Sequence, residues 1–333
     1  MGDGYAIEVV RGRLEPAVAD ELIGFWSAHG ALSEAAARAR LAEVVAVLRD
    51  PSGAIAGVNS AYSDRVALIG GRRFWIYRSF LAPGHAAGRA ALLDAAFAVL
   101  EEEFTATGQG PIGLCVIHGD PEFGREAVWA GESGFMYMGR GADGAAVHAA
   151  YFDGAVIGPG VGEQGEADPV LGPGLRIEAY DRQDEVTDED VIALWTSAAG
   201  LTIEEARRRI LEVHLVGIHE RTGVVAISSA YLQRNPQLDM QLWYYRAFVA
   251  PEQRMSSLAV LLALRGRELL KARFASGEDT RAPGIIYEVE NPGLKTYFNH
   301  ALWLPTEFTF IGENAKGDHV RVHYFPGAVV AGG

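Results

Sequence analysis

Residues 75–83 read WIYRSFLAP, and residues 243–251 read WYYRAFVAP. The two copies lie 168 positions apart (83 to 251) in a chain of 333 residues. Each copy is followed by a loop of small residues and then by an apolar segment with helical periodicity. A strand that ends in proline and leads through such a loop into a helix is a common phosphate-binding arrangement. The repeat therefore predicts a duplicated cofactor-binding domain.

The repeat extends along the rest of the chain. Trp26 and Trp195 occupy equivalent places in an amphipathic helix near the start of each half, and Tyr62 and Tyr231 do so in a later strand. Each half is predicted to run strand, helix, helix, antiparallel strands, helix, strand, helix, strand. Further equivalent pairs are Leu32 and Leu201, Arg38 and Arg207, Arg40 and Arg209, Glu43 and Glu212, and Phe135 and Trp303.

Composition shifts predict two domains joined by a linker. Residues 153–173 are rich in Gly and Pro and have no hydrophobic period, as is typical of a linker. We therefore expect an N-terminal domain over residues 1–152 and a C-terminal domain over residues 174–333. The expected fold class is α/β (α+β), with a mixed, mostly antiparallel sheet flanked by helices in each domain.

The overall charge limits the classes of partner. The formal net charge is −14, which argues against nucleic acid or an anionic membrane surface as the main partner, because both need a basic face. Cys115 is the single cysteine, so no intrachain disulfide and no thiolate metal cluster can form, and we expect no metal site. No signal peptide and no apolar run of about 18 residues is visible. We expect a cytoplasmic protein and leave its oligomeric state open.

The order of elements and the loop after the repeated strand resemble the GCN5-related N-acetyltransferase (GNAT) superfamily. In that family the fourth strand ends V-x-P and continues into [QR]-x-x-G-x-[GA]. The first copy here reads LAP over 81–83 and HAAGRA over 85–90, and the second reads VAP over 249–251 and RMSSLA over 254–259. Both loops depart from the pattern, since His replaces Gln or Arg in the first copy and Ser replaces Gly in the second.

The resemblance implies that the loop binds the diphosphate of acetyl-CoA or another acyl-CoA with its N–H groups, at the start of a helix. Glycine in such a loop lets the backbone come close to the phosphates. The resemblance implies cofactor-binding roles for the following residues of the two halves: Leu81, His85, Ala87, Gly88 and Ala90 in the first, and Val249, Arg254, Met255, Ser256, Ser257, Ala259 and Asn291 in the second.

The last third of each half departs further from the family pattern. The family places an Asn after the fifth strand and a Tyr seven residues later, which often protonates the leaving thiolate. Asn291 is present in the second half, but position seven is Phe298, and Tyr297 lies one residue early. The first half has no Tyr in that segment. The resemblance therefore implies that one half is inactive, and we expect catalysis in the second.

Charged residues near the paired strands are the candidates for catalysis. Arg78 and Arg246 lie inside the repeated strand, where a guanidinium either pairs with a neighbouring acid or clamps a substrate carboxylate or phosphate. Glu288 and Glu290 are two residues apart near the end of the fifth strand, so their side chains face the same side of the sheet. One of them is either a base that takes a proton from an attacking amine or a partner of Arg246.

Other residues have both a plain and a functional interpretation. His118 and Asp120 are either part of a turn or a base with its orienting partner, and the turn is the favoured interpretation. The aromatics Trp75, Tyr77, Trp243, Tyr244 and Tyr245 are either core or the wall of a pocket for an acyl group larger than acetyl. Cys115 is interpreted as a small buried hydrophobe.

These patterns favour an acyl-CoA-dependent N-acyltransferase that acts on a small amine or a peptide amine by direct attack on the thioester. The first alternative is a catalytically inactive GNAT-like protein that binds a ligand or serves as a scaffold. The second is another acyl-transfer chemistry on the same fold, such as aminoacyl transfer from a different donor. The acidic balance argues against tRNA as that donor.

Overall fold

The computed structural model describes residues 4–118, 129–130, 134–160, 169–180, 185–254 and 256–329. The chain divides into two compact units, unit 1 over Met1–Ile157 and unit 2 over Gly158–Gly333. The division falls inside the predicted linker. In its first part, Ala155 and Ile157 are buried, and the side-chain amide of Asn299 donates to the Gly158 carbonyl at 2.8 Å. This part of the predicted linker is therefore packed.

The described residues of unit 1 form one eight-stranded sheet and three α-helices. The strands are β1 Ala6–Val9, β2 Val44–Arg49, β3 Ile55–Val66, β4 Arg72–Leu81, β5 Gly113–His118, β6 Trp129–Ala130, β7 Phe135–Arg140 and β8 Ala146–Tyr151. The helices are α1 Pro16–Ala28, α2 Glu34–Arg40 and α3 Arg89–Thr107. The strand order is β1-β2-β3-β4-β5-β8-β7-β6.

Unit 2 repeats this architecture, and its described residues include a short helix after the fifth strand. Its strands are β9 Leu175–Ala179, β10 Val213–His219, β11 Gly223–Asn235, β12 Met240–Val249, β13 Gly284–Val289, β14 Leu302–Trp303, β15 Phe308–Glu313 and β16 His319–Tyr324. The helices are α4 Asp188–Ala198, α5 Ile203–Arg209, α6 Leu258–Ser276 and α7 Pro292–Tyr297. The strand order, β9-β10-β11-β12-β13-β16-β15-β14, is that of unit 1 shifted by eight strands.

The predicted fold class is confirmed. The predicted helix after the fifth strand is present in unit 2 as α7, whereas in unit 1 it falls on residues outside the described ones. Both sheets are antiparallel except at one pair each, β4 with β5 and β12 with β13. The sequence did not predict β8, which lies between β5 and β7, or β16, which lies between β13 and β15.

Helices cover both faces of each sheet. Successive residues of a strand point to opposite faces, and strands such as β2 and β10 have buried residues at successive positions, so both faces must be covered. In unit 1, Trp26 of α1 packs with Val47 and Val58 on one face, and Leu93 of α3 packs with Tyr77 on the other. Trp195 of α4 takes the place of Trp26 in unit 2, and both indoles are buried. The repeated tryptophans therefore mark the same core position twice.

Candidate functional site

The parallel strands of unit 2 separate partway along their length. β12 and β13 pair only at Trp243 with Ile285 and at Tyr244 with Ile286. After these pairs no further pairing joins them in the described strands, although β12 continues to Val249. The sheet therefore has an opening between the last residues of β12 and β13.

A cavity of about 120 Å³ lies beside this opening, on the face that α6 covers. Tyr245 and Ala247 of β12 and Tyr287 of β13 form its strand wall, so the cavity begins at the residue where pairing stops. The rest of the wall is also almost entirely apolar: Ala259, Val260 and Ala263 of α6, Leu294 of α7, and Phe298, Trp303, Leu304, Thr306 and Phe308.

The equivalent positions of unit 1 are more polar. Ser79 stands where Ala247 stands in unit 2, and Asp94 stands where Ala263 stands. Both lie near the buried hydroxyl of Tyr77, the residue equivalent to Tyr245. Burial raises the pKa of Tyr77 to about 12. An apolar ligand would therefore find a carboxylate and a hydroxyl in unit 1 where unit 2 offers two methyl groups.

The N-cap residues of the two long helices after the repeated strand, Gly88 of α3 and Ser257 of α6, make no side-chain cap. At the start of α6 the Leu258 amide donates instead to the Ser256 hydroxyl at 3.4 Å. In contrast, Ser33, Thr187, Thr202 and Asn291 cap the helices that follow them. The first N–H groups of a helix are the groups that bind phosphate in other proteins.

In unit 1, packing against a neighbouring strand accounts for the glycine of the loop. Gly88 is buried, and a Cβ atom on it would lie 2.2 Å from Cδ2 of Leu48 in β2. Its φ of −79° is accessible to any residue. In unit 2, Gly217 stands in place of Leu48, and the side chain of Leu258, the residue after the equivalent of Gly88, lies against it.

The other predicted cofactor residues of unit 1 have mixed surroundings. His85 is held by the hydroxyl of Tyr5, which lies 2.8 Å from its Nδ1. Ala87 and Ala90 are exposed at the start of α3, and Leu81 ends β4.

In unit 2, one of the predicted cofactor residues reaches the cavity. Ala259 lines the cavity, Ser257 precedes α6, and Val249 ends β12. Arg254 is exposed, and its Nε donates to the Val249 carbonyl at 3.4 Å, while the Ser256 hydroxyl donates to Gln253 at 2.6 Å. Met255 lies outside the described residues.

Arg246 has the acidic partner that its structural interpretation requires. Its Nη1 lies 3.1 Å from Oε2 of Glu212, in the turn after α5, and its guanidinium stacks 3.9 Å from the ring centroid of Tyr231. Unit 1 repeats the cluster, with Arg78 paired to Glu43 and stacked on Tyr62. Neither Glu288 nor Glu290 is this partner, so the alternative that one of them pairs with Arg246 is wrong.

Glu288 and the cavity lie on opposite faces of the sheet. Tyr287 lines the cavity, and the next residue of a strand points to the other side. Glu288 lies near Tyr244, whose pKa is raised by burial and by this carboxylate. Glu290 follows the last residue of β13 and is exposed. The opening between the strands thus has an apolar cavity on one face and Glu288 with Arg246 on the other.

The residues that follow β13 form one wall of the cavity. Asn291 accepts hydrogen bonds from the amides of Gly293 at 2.8 Å and Leu294 at 3.3 Å, and so caps α7. Tyr297 is 54% exposed and does not line the cavity, whereas Phe298 does. A proton-donor role for Tyr297 stays a prediction.

Sequence reasoning did not identify how the aromatic wall is fixed. The Trp303 indole donates to the Phe298 carbonyl at 2.5 Å. The buried guanidinium of Arg321 lies 3.9 Å from the Trp303 ring centroid and donates to the His300 carbonyl at 2.7 Å. The only signal in the sequence is an arginine between apolar residues of a strand, a position that requires several acceptors.

The remaining alternatives are also placed. His118 ends β5, with its Nε2 3.3 Å from Nδ1 of the buried His148, and Asp120 lies outside the described residues. Cys115 is fully buried, and burial raises the pKa of its thiol to about 12.

Among the described residues, no cluster of three His, Cys, Asp or Glu could ligate a metal. In the same residues, every helix is too short or too polar to cross a bilayer.

No family model matches this sequence, and no curated protein matches it. Among solved structures, the chain is similar to a GNAT-family acetyltransferase from Streptococcus pneumoniae, with 13% identity over 45% of this chain and 99% of that chain and a TM-score of 0.33. A GCN5-related N-acetyltransferase from Sphaerobacter thermophilus has 13% identity over 83% of this chain and 85% of that chain, with a TM-score of 0.25.

A third similar structure is a variant of the AtaT toxin with acetyl-CoA and the C-terminus of the antitoxin AtaR. It is 10% identical over 45% of this chain and 93% of that chain, with a TM-score of 0.32. Identities and scores of this size carry no argument about activity.

Proposed function

We propose that the chain is an acyl-CoA-dependent N-acyltransferase whose active site lies in unit 2. One observation carries this proposal: the apolar cavity begins at Tyr245 and Tyr287, where β12 and β13 stop pairing. Through such an opening, an acyl group bound on one face of the sheet can meet an amine acceptor bound on the other face. The start of α6, where the N-cap residue Ser257 makes no side-chain cap and Ala259 reaches the cavity, supports binding of a diphosphate.

Acyl-CoA would supply a thioester whose carbonyl carbon an amine attacks, so that a C–N bond forms, the C–S bond breaks and the sulfur takes a proton. The residues of this chain would do the rest. The cavity wall excludes water from the acyl end of the ligand, as in other ligand pockets. Glu288, on the opposite face, is the proposed base for the proton of the amine. Arg246 is proposed to position the acceptor, with its guanidinium held by Glu212.

Unit 1 is proposed to be inactive. Its equivalent positions carry Ser79 and Asp94, and its loop glycine is explained by packing against Leu48. The acceptor is proposed to be a small amine or a peptide amine. A cytoplasmic location and the lack of nucleic-acid and membrane partners stay predictions from composition.

Titration calorimetry of the full chain with CoA and acetyl-CoA tests the proposal. Ser256→Glu and Ala87→Glu place the same charge at equivalent loop positions, since these residues lie 169 positions apart. We expect Ser256→Glu to weaken CoA binding at least about 10-fold through repulsion of the diphosphate, and Ala87→Glu to leave it unchanged. Lack of CoA binding by the unaltered chain would refute the proposal, and equal effects of both variants would refute the assignment to unit 2.

A protein that binds the ligand without turnover is the second candidate. The observation in its favour is Phe298, which lines the cavity and has no acidic proton to give to a thiolate. Release of free thiol in the presence of a panel of amines separates the two functions. Tight acyl-CoA binding with no thiol released would favour the binding protein.

A further inference from the structure

We infer that the cavity of unit 2 receives an uncharged, apolar acyl group larger than acetyl, such as a medium-chain or aromatic acyl group. The inference rests on the proposed function, since it assigns the acyl part of that substrate. It is argued from the size of the cavity, from the chemistry and rigidity of its wall and from the residue that links it to the surface.

The size of the cavity exceeds the need of a two-carbon acyl group. Its volume is about 120 Å³. For comparison, an engineered apolar cavity of about 150 Å³ in another protein stays dry and binds benzene. Three alanines, Ala247, Ala259 and Ala263, leave this space open, and a larger side chain at any of them would reduce it.

The chemistry of the wall favours apolar acyl groups and disfavours charged ones. Two of the wall residues are tyrosines, but the Tyr245 hydroxyl is buried away from solvent, and burial raises the pKa of both Tyr245 and Tyr287. Both rings are therefore neutral at physiological pH. Within the described part of the chain, no lysine or arginine lines the cavity, so the carboxylate of a dicarboxylic acyl group would be desolvated there without a cationic partner.

The aromatic wall is preformed. Trp303 is fixed on one side by its hydrogen bond to the Phe298 carbonyl and on the other by the buried Arg321. A wall that is already ordered loses little conformational entropy when a ligand binds, so buried apolar contact contributes more fully to affinity.

An apolar residue links the cavity to the surface. Leu304 lines the cavity and is 45% exposed. A chain longer than the cavity would therefore meet an apolar side chain at this residue.

Calorimetry of the full chain with CoA, acetyl-CoA, hexanoyl-CoA, benzoyl-CoA and succinyl-CoA tests the inference. We expect hexanoyl-CoA and benzoyl-CoA to bind at least about 10-fold more tightly than acetyl-CoA, because each buried methylene adds affinity. Succinyl-CoA should bind no more tightly than acetyl-CoA.

A matched pair of variants on α6 locates the effect. Ala263→Leu fills the cavity and should abolish the advantage of the larger acyl groups while CoA itself still binds. Ala272→Leu makes the same change on the exposed side of the same helix and should keep the advantage. If Ala263→Leu fails to fold by circular dichroism, Ala247→Val provides a smaller reduction of the same cavity.

The outcomes separate the two proposals. CoA binding with equal affinity for all acyl lengths would overturn the inference and leave the proposed function standing. Absence of CoA binding altogether would overturn the proposed function, and the inference with it. Tighter binding of succinyl-CoA than of hexanoyl-CoA would also overturn the inference.

Discussion

The Leu48 side chain occupies the space that a Cβ atom on Gly88 would need, because Cδ2 of Leu48 would lie 2.2 Å from that atom. In unit 2, Gly217 stands at the position of Leu48, and it lies against Leu258, the residue after Ser257, which is the equivalent of Gly88. The loop glycine that resembles a phosphate-binding residue is thus also a packing residue.

Gly88→Ala is expected to destabilise the protein by about 1–3 kcal/mol, because overpacking forces buried side chains to move. Urea unfolding followed by circular dichroism measures the loss. Leu48→Ala alone should cost about 2–5 kcal/mol through the cavity it leaves. The double variant should be more stable than the sum of the two losses predicts. Strict additivity would show that the two residues do not compete for one space.

The Arg246–Glu212 pair is expected to contribute little to stability. Arg246 is 38% exposed and Glu212 is 26% exposed, so solvent screens their attraction. A double-mutant cycle of Arg246→Met and Glu212→Gln should give a coupling free energy of about 1 kcal/mol or less. If the arginine clamps the acceptor, Arg246→Met should also abolish turnover at unchanged CoA affinity. A parallel loss of folding and turnover would support the purely structural interpretation.

Stability is expected to fall with acidification between pH 6.5 and about 4. Burial lowers the pKa of His214 and of His323 from 6.5 to about 4 in the folded protein. In that window the unfolded chain binds more protons than the folded one, so protonation favours unfolding as pH falls and the effect levels off below pH 4. Each histidine contributes on the order of 3 kcal/mol at most.

A variant can assign this pH dependence. Valine stands at position 45, equivalent to His214, so His214→Val introduces the residue that the other unit already carries there. Its free energy of unfolding should depend less steeply on pH between 4 and 6.5 than that of the unaltered chain. An unchanged slope would show that His214 does not contribute.

The Cys115 thiol is expected to be inert in the folded protein. It is fully buried, and burial raises its pKa to about 12, so almost no thiolate exists at pH 8. A chromogenic disulfide reagent should label one thiol in denaturant and none under native conditions within the same time. Fast native labelling would disprove the burial of this residue.

Substitutions of Asn291 separate a capping role from a cofactor-binding role. Asn291→Ala should destabilise the protein by about 1 kcal/mol through loss of the cap on α7 and should weaken CoA binding, because α7 carries Leu294 of the cavity wall. Asn291→Asp keeps the acceptor oxygen and should restore both properties. Restored stability with lost CoA binding would instead indicate a direct contact between the side-chain amide and the ligand.

The duplication, the order of the elements and the cores could be predicted from the sequence, because hydrophobic period and turn residues act locally. Trp26 and Trp195 lie where their helical spacing predicts, and the strands containing Tyr62 and Tyr231 pair with the repeated strands. The strands β8 and β16 were missed, because nothing local shows that a chain end returns to insert between two earlier strands.

The site depended on tertiary structure. Alternation placed Glu288 on one face of β13, but only the pairing register shows that β12 and β13 separate at Tyr245 and that the cavity lies on the opposite face. The partner of Arg246 could likewise be identified only from the tertiary structure, because Glu212 lies in a turn 34 residues earlier in the sequence. Local propensities determine which helices and strands form. Strand register and packing between distant segments determine which side chains come into contact, and the residues of the candidate site come from such distant segments.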